Sequence, residues 1–314
     1  MTKPIWLIGV GIMSLDYAKV LKGLNVEYLA IGRGEKSAKD FEEKTGHPVI
    51  KGGLEAFLAT QPEIPDYAII SVGVEQLKNV TIAAIRYGVE RILVEKPAGL
   101  NAADIKEVRD AAKEKKAKVF VAYNRRFYAS VLKAKEIIAE DGGVTSFNFE
   151  FTEWSHTIEP LQKATGVKEN WFLGNSSHVV DMAFFMGGKP SKITCYTGGG
   201  LSWHPAASIF AGAGIARNGA LFSYQANWAA PGRWGVEILT KKHRLIFRPL
   251  EKLQIQNIGS VAVEFVPLED RLDTEYKPGL YKQVELFLKG KTREFCTIDE
   301  QFKKMKIYNK MANY

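Results

Sequence analysis

A lysine that follows a short apolar run is the residue of this chain whose type and position most clearly predict chemistry. Residues 92–94 (Ile-Leu-Val) lead directly into Glu95, Lys96 and Pro97. Open α/β sheets bind ligands beyond the carboxyl ends of their strands, and the proline disfavours helical geometry at Lys96. A lysine desolvated there has a lowered pKa and can exchange a proton with a substrate oxygen. A Glu–Lys pair at a strand end is otherwise a surface ion pair, so Lys96 needs support from the rest of the sequence.

A Gly-x-Gly motif between an apolar run and a helical pattern supplies that support. Gly9 permits a tight turn, and Gly11 lets the backbone approach a pyrophosphate at a helix N-terminus. Ser14 takes the third glycine position of the usual fingerprint. Although glycine pairs also occur in plain structural turns, this placement favours a nicotinamide dinucleotide. We expect Gly9, Gly11, Ile12 and Met13 to contact the cofactor.

The end of the second apolar run bears on the choice between NADP and NAD. NAD enzymes place an acid there to bind the ribose 2′-hydroxyl. This chain instead has Gly32-Arg33-Gly34, and Ser37 follows shortly after. Arg33 and Ser37 are therefore expected to hold a 2′-phosphate, which favours NADP and leaves NAD as the alternative. The plainer interpretation is that Arg33 is a solvated loop residue.

These residues need a doubly wound parallel sheet to position them. Short apolar runs alternate with helical patterns up to about residue 122, as in a Rossmann domain. From about residue 145 period-two patterns follow one another with few helices, which indicates an open, mainly antiparallel sheet. The predicted domains are residues 1–122, which bind the dinucleotide, and residues 123–314, which form an α+β domain for substrate binding and oligomerisation. The last helix is expected to pack back on the first domain.

Composition limits the class of protein. The chain has 314 residues with 46% hydrophobic and 25% charged residues, which is typical of a globular protein with two domains. No run is apolar enough to span a bilayer, and the N-terminal stretch fits a buried strand better than a signal peptide, so a cytoplasmic location is expected. The net charge of +8 is spread along the chain, which argues against nucleic-acid binding. Cys195 and Cys296 are too few and too far apart for a disulfide framework or a metal site.

The order of these motifs resembles the Gfo/Idh/MocA oxidoreductase family. The resemblance rests on the Gly-x-Gly strand–turn–helix, Glu95-Lys96-Pro97, residues 123–127 (Tyr-Asn-Arg-Arg-Phe) and the later His178-Val-Val-Asp181. It implies hydride transfer between nicotinamide and a carbinol or carbonyl carbon, as in a sugar, sugar acid or nucleotide sugar. It also implies that Lys96 is the acid/base residue and that Glu95 and Pro97 shape the cofactor pocket.

The resemblance further implies a role for residues of the second half. His178 matches a histidine that binds or protonates the reacting oxygen, and a helix start near residues 176–177 would orient its ring and lower its pKa. A buried structural histidine is the alternative. Arg125 and Arg126 form a cationic pair suited to an anionic substrate, unless they serve interdomain salt bridges. Tyr123 and Trp171 are further candidates for substrate contact, and the sheet of the second domain is expected to carry a homo-oligomer interface.

Two departures from the family pattern matter. The family commonly has an aspartate four residues before the histidine, where this chain has Gly174, so a Lys–Asp–His mechanism cannot be carried over. Asn175 is expected to orient the substrate by hydrogen bonding, since an amide is no general base at neutral pH. The loop after the third long strand reads Ser71-Val72-Gly73 where relatives show Thr-Pro, yet it is still expected to line the cofactor.

Three interpretations remain open at this point. The first is an NADP-preferring oxidoreductase acting on a sugar-like carbon. The second is a reductase of imines or conjugated double bonds, with which the missing aspartate is compatible. The third is a non-catalytic NADP-binding sensor or assembly subunit. The partners expected are a small, anionic substrate and further copies of the chain, without a metal, a nucleic acid or a membrane.

Overall fold

The computed structural model describes residues 3–314, which divide into two compact units. The first unit is the chain up to Tyr123 together with Glu275–Lys304, and the second is Asn124–Thr274 together with Met305–Tyr314. Residues 275–304 thus lie in the first unit, although the sequence analysis assigns them to the second domain. A Rossmann-like parallel sheet in the first unit and a mainly antiparallel sheet in the second confirm the predicted fold class.

The first unit is built on a seven-stranded sheet in the order β15-β6-β5-β4-β1-β2-β3. Strands β1 to β6 are parallel, and β15 joins β6 antiparallel. The order 3-2-1-4-5-6 is that of dinucleotide-binding sheets, whose ligand crevice opens between β1 and β4 where the winding reverses. The strands are β1 (Ile5–Ile8), β2 (Tyr28–Ile31), β3 (Val49–Ile50), β4 (Ala68–Ile70), β5 (Arg91–Glu95), β6 (Lys118–Ala122) and β15 (Cys296–Thr297).

Helices cover this sheet because its strands are apolar on both faces, as all four residues of β1 are buried. Gly46 and Gly88 end α2 and α4 with φ of 68° and 117°, in the left-handed region that glycine favours. Asn101 caps α5 by accepting hydrogen bonds from the backbone N–H groups of Ala103 and Asp104. The helices are α1 (Ile12–Gly23), α2 (Glu35–Thr45), α3 (Gly53–Ala59), α4 (Leu77–Tyr87), α5 (Ala102–Lys115) and α10 (Leu280–Leu288).

The second unit is built on an eight-stranded sheet in the order β14-β13-β12-β11-β7-β10-β9-β8. Within it β7 and β10 run parallel, whereas the other neighbouring pairs are antiparallel. Alternate residues Phe147 and Phe149 of β7 point to one face, where both rings meet Phe184 edge-on. The strands are β7 (Ser146–Glu150), β8 (Pro190–Gly198), β9 (Ile209–Ala216), β10 (Leu221–Asn227), β11 (Gly235–Leu239), β12 (His243–Phe247), β13 (Gln254–Asn257) and β14 (Glu264–Phe265).

The remaining helices lie mainly in the second unit. A π-helical turn over Phe172–Ser176 runs straight into α8, and α11 contributes residues to both units. Among the described residues 3–314, no helix combines the length and the hydropathy needed to cross a membrane. These helices are α6 (Ala129–Glu140), α7 (Ser155–Ile158), α8 (Ser177–Gly187), α9 (Arg271–Glu275) and α11 (Ile298–Ala312).

Candidate functional site

The glycine loop of the first unit follows β1 and precedes α1, as predicted. Gly9 has φ of +110°, and a Cβ placed on it would lie 2.1 Å from the carbonyl oxygen of Ser71. Only glycine fits this turn, because both the backbone conformation and the space exclude a side chain. A Cβ on Gly11, by contrast, would meet no heavy atom within 4 Å, so the space beside Gly11 is open.

The N-terminus of α1 has the properties of an anion-binding end. Gly11 is its N-cap, and no side chain there accepts the free N–H groups of the first turn. Ile12, the first helical residue, is 86% exposed, which is a large exposure for an isoleucine beside a turn of this kind. Met13 is half-buried. This helix start therefore fits the pyrophosphate and adjacent parts of a dinucleotide, since it combines open space, free N–H donors and an exposed apolar side chain.

The loop after β4 lies against the glycine turn. The Ser71 amide donates to the Ile8 carbonyl at 2.7 Å, and the Ser14 hydroxyl donates to the Ser71 carbonyl at 3.2 Å. Ser14 therefore has a structural role at the third glycine position. The Ser71 hydroxyl is buried and finds no hydrogen-bond partner among the described residues 3–314, which leaves a polar atom for a ligand to satisfy. Val72 is half-buried and Gly73 exposed at the same edge.

The end of β2 carries no acid, in agreement with the sequence. Arg33 is exposed, and no carboxylate pairs with it in the described part of the chain. The Ser37 hydroxyl donates to the Gly34 carbonyl at 3.0 Å in the first turn of α2, and Gly34 provides no side-chain cap for that helix. The acid nearest in sequence, Glu35, pairs with Lys51 at 3.0 Å. A free guanidinium at an uncapped helix start fits a phosphate group.

Lys96 lies at the carboxyl edge of the seven-stranded sheet of the first unit (sheet A), one residue beyond β5. Glu95 is held by the Tyr17 hydroxyl, which donates to its Oε1 at 2.7 Å, and by the Lys96 amide, which donates to its Oε2 at 3.2 Å. Burial raises the pKa of Glu95, and the charge of Lys96 and the Tyr17 hydrogen bond oppose that rise. The buried Pro97 carbonyl accepts a hydrogen bond from Gln301 at 3.3 Å. The lysine backbone is therefore held on both sides.

Tyr123 ends the first stretch of the first unit, just after β6. Its side chain is 1% exposed, and the Lys304 ammonium lies 5.2 Å from the centre of its ring. The tyrosine is thus a packed residue, and its predicted contact with substrate stays a prediction.

In the second unit, His178 lies in the first turn of α8 and is 8% exposed. The predicted helix start near residues 176–177 is confirmed, since α8 begins at Ser177, but a π-helical turn over Phe172–Ser176 precedes it without a break. The effect of this helix start on the His178 ring stays a prediction. Helical insertions of this kind are common at functional sites. The centre of the His178 ring lies 6.3 Å from that of Trp234.

A carboxylate that the sequence analysis missed lies beside this helix start. Glu153 is 2% exposed, and its Oε1 accepts a hydrogen bond from the Ser176 hydroxyl at 2.7 Å. The Asn175 amide donates to both carboxylate oxygens at 3.0 Å. Burial raises the pKa of Glu153 to about 7, although the Ser176 and Asn175 hydrogen bonds oppose the rise. Nothing in the local sequence indicates this carboxylate, because Glu153 is 22 residues from Asn175 along the chain.

Asn175 is therefore engaged by Glu153 through its amide nitrogen. The neighbouring Gly174, where relatives have an aspartate, would place a Cβ in space with no heavy atom within 4 Å. The structure thus provides a buried carboxylate from the segment after β7, close to the position where the family motif would provide one.

The two arginines of the predicted cationic pair, Arg125 and Arg126, have different surroundings. Arg126 is 3% exposed and forms a two-point ion pair with Asp181, its Nε 2.7 Å from Oδ2 and its Nη2 2.8 Å from Oδ1. Arg126 is thereby paired within the second unit, and its predicted contact with an anionic substrate stays a prediction. The pair ties residues 124–127 to α8 three residues after His178. Arg125 has no such partner and remains the candidate.

Trp171, the other aromatic residue predicted to contact substrate, packs against a second tryptophan. Trp171 is half-buried, and its ring meets Trp203 edge-on with the ring centres 5.9 Å apart. Trp203 in turn stacks on Trp228 at 5.7 Å. A contact between Trp171 and substrate stays a prediction.

Comparison with protein families matches the first part of the chain. Residues 4–123 match the family model described as the oxidoreductase family, NAD-binding Rossmann fold, of Gfo/Idh/MocA proteins. A curated relative, mouse (Mus musculus) trans-1,2-dihydrobenzene-1,2-diol dehydrogenase, is 24% identical over 163 residues, which are 51% of this chain and 48% of that protein. The chain therefore spans about half the length of the curated relatives it matches.

Solved structures share the fold over the whole chain. Levoglucosan dehydrogenase in complex with NADH and L-sorbose has a TM-score of 0.80 at 17% identity, covering 100% of this chain and 96% of that one. The WlbA dehydrogenase of Chromobacterium violaceum, in complex with NADH and UDP-GlcNAcA, has a TM-score of 0.73 at 19% identity, covering 99% and 92%. At these identities the likeness concerns the fold alone.

Glu153 should make stability depend on pH. Because its pKa in the folded state is about 7 and its ordinary value is 4.5, its contribution to stability is complete below pH 4.5 and is lost as pH rises through 7. Because of this titration, the wild type should lose ~3 kcal/mol of unfolding free energy between pH 4.5 and 8. Glu153→Gln, whose side chain stays neutral, should not show this loss. Urea denaturation of both proteins across this range measures the difference.

The matched control is Glu264→Gln, which changes an exposed glutamate of the same unit and should keep the wild-type pH dependence. Parallel stability curves for the wild type and Glu153→Gln would show that Glu153 titrates normally in the folded protein.

Proposed function

Because residues 4–123 match the model of the Gfo/Idh/MocA oxidoreductase family, we propose that this protein is an NAD(P)-dependent oxidoreductase. It would act on a carbinol or carbonyl carbon of a sugar, a sugar acid or a nucleotide sugar, with Lys96 as the acid/base residue. The observation that carries the proposal is the shared edge of sheet A. The glycine turn after β1, the Ser71 loop after β4 and Lys96 after β5 follow three adjacent strands at their carboxyl ends.

The first unit has the donors that a dinucleotide requires. The uncapped start of α1 at Gly11 suits the pyrophosphate, and the buried Ser71 hydroxyl has an unused hydrogen-bonding capacity. Glu95 and Pro97 would border the nicotinamide, since they flank Lys96. A bound nicotinamide supplies the two-electron chemistry by accepting or donating a hydride.

Lys96 would supply the proton transfer that accompanies this oxidation or reduction. When a carbinol is oxidised, the lysine takes the hydroxyl proton, and in the reverse direction it returns that proton to the oxygen. Its peptide is anchored through Glu95 and Pro97, so the ammonium is carried on a backbone that is held in place. Fixed placement of a proton donor reduces the entropic part of the barrier.

His178 is the residue of the second unit that we propose to bind or protonate the reacting oxygen. Support comes from its place at the start of α8, which the Arg126–Asp181 ion pair and the Glu153 hydrogen bonds hold on two sides. We also propose Tyr123, Trp171 and Asn175 as substrate contacts, because of their side-chain chemistry and their places in the sequence.

We propose NADP as the preferred cofactor, with NAD as the alternative. The support is the exposed Arg33 at the end of β2, where no acid is available to bind a ribose 2′-hydroxyl.

Substitution of Lys96 tests the catalytic proposal. Lys96→Ala should lower kcat at least ~100-fold by removing general acid/base catalysis, while the Kd for NADPH stays within about twofold. Oxidation and reduction of a panel of sugars, sugar acids and keto-sugars, followed at the nicotinamide absorbance, measures the first quantity. Lys106→Ala, on the exposed face of α5, is the control. Equal rates for the wild type and Lys96→Ala would exclude the lysine mechanism, and no turnover by the wild type would favour a non-catalytic role.

The Arg33 assignment predicts a switch of cofactor. Arg33→Asp should weaken NADPH binding at least ~10-fold by replacing a cation with an anion at the 2′-phosphate, and should strengthen NADH binding. Fluorescence titration with both cofactors measures the two Kd values. Arg86→Asp makes the same charge change on the exposed side of α4 and should leave both unchanged. Equal Kd values of the wild type for NADH and NADPH would refute the assignment.

We further propose that a second copy of the chain binds the exposed face of β8, β9 and β10. This face carries large apolar side chains, with Tyr196 69%, Ile209 45% and Leu221 59% exposed. Analytical ultracentrifugation at micromolar concentration should show a dimer or larger assembly, and Leu221→Lys together with Tyr196→Lys should dissociate it. Sedimentation of the wild type as a monomer would contradict this interface.

A further inference from the structure

Within the second unit, we propose that Arg125, Arg233 and Trp234 form a cradle for an oxyanion, the carboxylate or phosphate group of the substrate. This rests on the proposed function and narrows it to anionic substrates. The cradle is defined by the two guanidinium groups and the indole N–H of these three residues. All three residues lie in the second unit, so the cradle does not depend on any residue of the first unit.

Arg125 is a buried cation that forms no ion pair within residues 3–314. Its Nε is buried and has no hydrogen-bond partner, and no carboxylate oxygen lies within 4 Å of its nitrogens, in the part of the chain that the structure describes. Burial lowers the pKa of Arg125, and Tyr128, Glu251 and Glu153 oppose that shift only in part. Structural arginines of this degree of burial are normally paired, as Arg126 is with Asp181. An arginine without such an ion pair can be paired by an anion from outside the chain.

Trp234 provides the second unused donor. The residue is 7% exposed, and its indole N–H has no acceptor among residues 3–314. Buried tryptophan N–H groups usually find a partner, and leaving one unpaired costs about 1–3 kcal/mol. The Arg125 guanidinium carbon lies 4.9 Å from the centre of the Trp234 ring. The Arg125 guanidinium thus lies against the indole that carries the second unsatisfied donor.

A second cation lies on the same indole. The Arg233 guanidinium carbon is 5.1 Å from the centre of the Trp234 ring and 4.5 Å from that of Trp154. The charge of Arg233 lowers the pKa of Arg125, so the two cations repel each other. Arg233 is exposed and also has no carboxylate within 4 Å in the described chain. Two like charges held on one ring, neither in an ion pair within residues 3–314, are the arrangement that an oxyanion relieves.

The carboxylates of this region have other roles. Glu153 is occupied by Ser176 and Asn175, and Glu150 accepts hydrogen bonds from the Arg233 amide and the Arg248 guanidinium. Trp234 also lies 6.3 Å from His178 in ring-centre distance. A substrate bound in the cradle would therefore carry its anionic group close to the proposed histidine, within the length of a small hydroxy acid or a sugar acid.

The test compares anionic and neutral forms of one sugar in the full-length protein. D-glucuronate, D-glucose 6-phosphate and D-glucose are titrated while tryptophan fluorescence is followed, with and without saturating NADPH. We expect one or both anions to bind at least ~10-fold more tightly than D-glucose, and the tighter one identifies carboxylate or phosphate. Arg125→Gln and Arg233→Gln should each weaken the anion at least ~5-fold and leave D-glucose unchanged.

The matched control is Arg217→Gln, which removes an exposed arginine of the same unit and should leave anion binding unchanged. Because Arg233 is exposed, Arg233→Gln tests the cradle without disturbing the core. Equal affinity for the anions and D-glucose, no binding of either anion, or anion binding that neither variant weakens would each overturn the cradle. The same samples are also titrated with NADPH. A failure of the proposed function would appear as absent cofactor binding, whereas a failure of the cradle alone would leave cofactor binding intact.

Discussion

The close approach of the glycine turn to the Ser71 loop is the constraint on which the site of the first unit depends. With φ of +110° and no room for a Cβ, Gly9 lets the chain leave β1 and pass directly over the end of β4. The Ser71 amide and the Ser14 hydroxyl close the contact with hydrogen bonds. Because β1 and β4 are neighbours at the point where the sheet reverses its winding, this contact sets the floor of the crevice. The start of α1 and the Glu95-Lys96-Pro97 segment are then placed along its edge.

A second set of constraints acts on α8. The π-helical turn before α8, the Arg126–Asp181 ion pair and the Glu153 hydrogen bonds all converge within a few residues of His178. A buried ion pair is weak evidence for stability, because desolvation offsets much of its attraction, but it fixes geometry strongly. We therefore interpret Arg126 as a positioning residue for the helix, and Arg125 as the arginine left available for a ligand.

The sequence predicts the local features well and the long-range ones poorly. The glycine turn, the position of Lys96 after β5 and the two sheets follow from apolar runs, punctuating glycines and alternation, which are short-range signals. Glu153 could not be found in this way, because its partners Asn175 and Ser176 come from a distant segment. The Arg125–Arg126 pair illustrates the same limit. Two adjacent arginines look equivalent along the chain, and only the fold shows that Arg126 is neutralised by Asp181 while Arg125 lies on Trp234. The start of α8 at Ser177 is predicted, whereas the π-helical turn before it is not, because no residue pattern marks such a turn.

The central claim is that the edge of sheet A binds a nicotinamide cofactor with its reactive ring at Lys96. A crystal structure of the protein with NADPH tests this most directly. We predict pyrophosphate oxygens at about 3 Å from the backbone nitrogens at the start of α1, and the nicotinamide ring beside the Lys96 ammonium. Cofactor bound elsewhere on the chain, or a nicotinamide ring directed away from Lys96, would contradict the account.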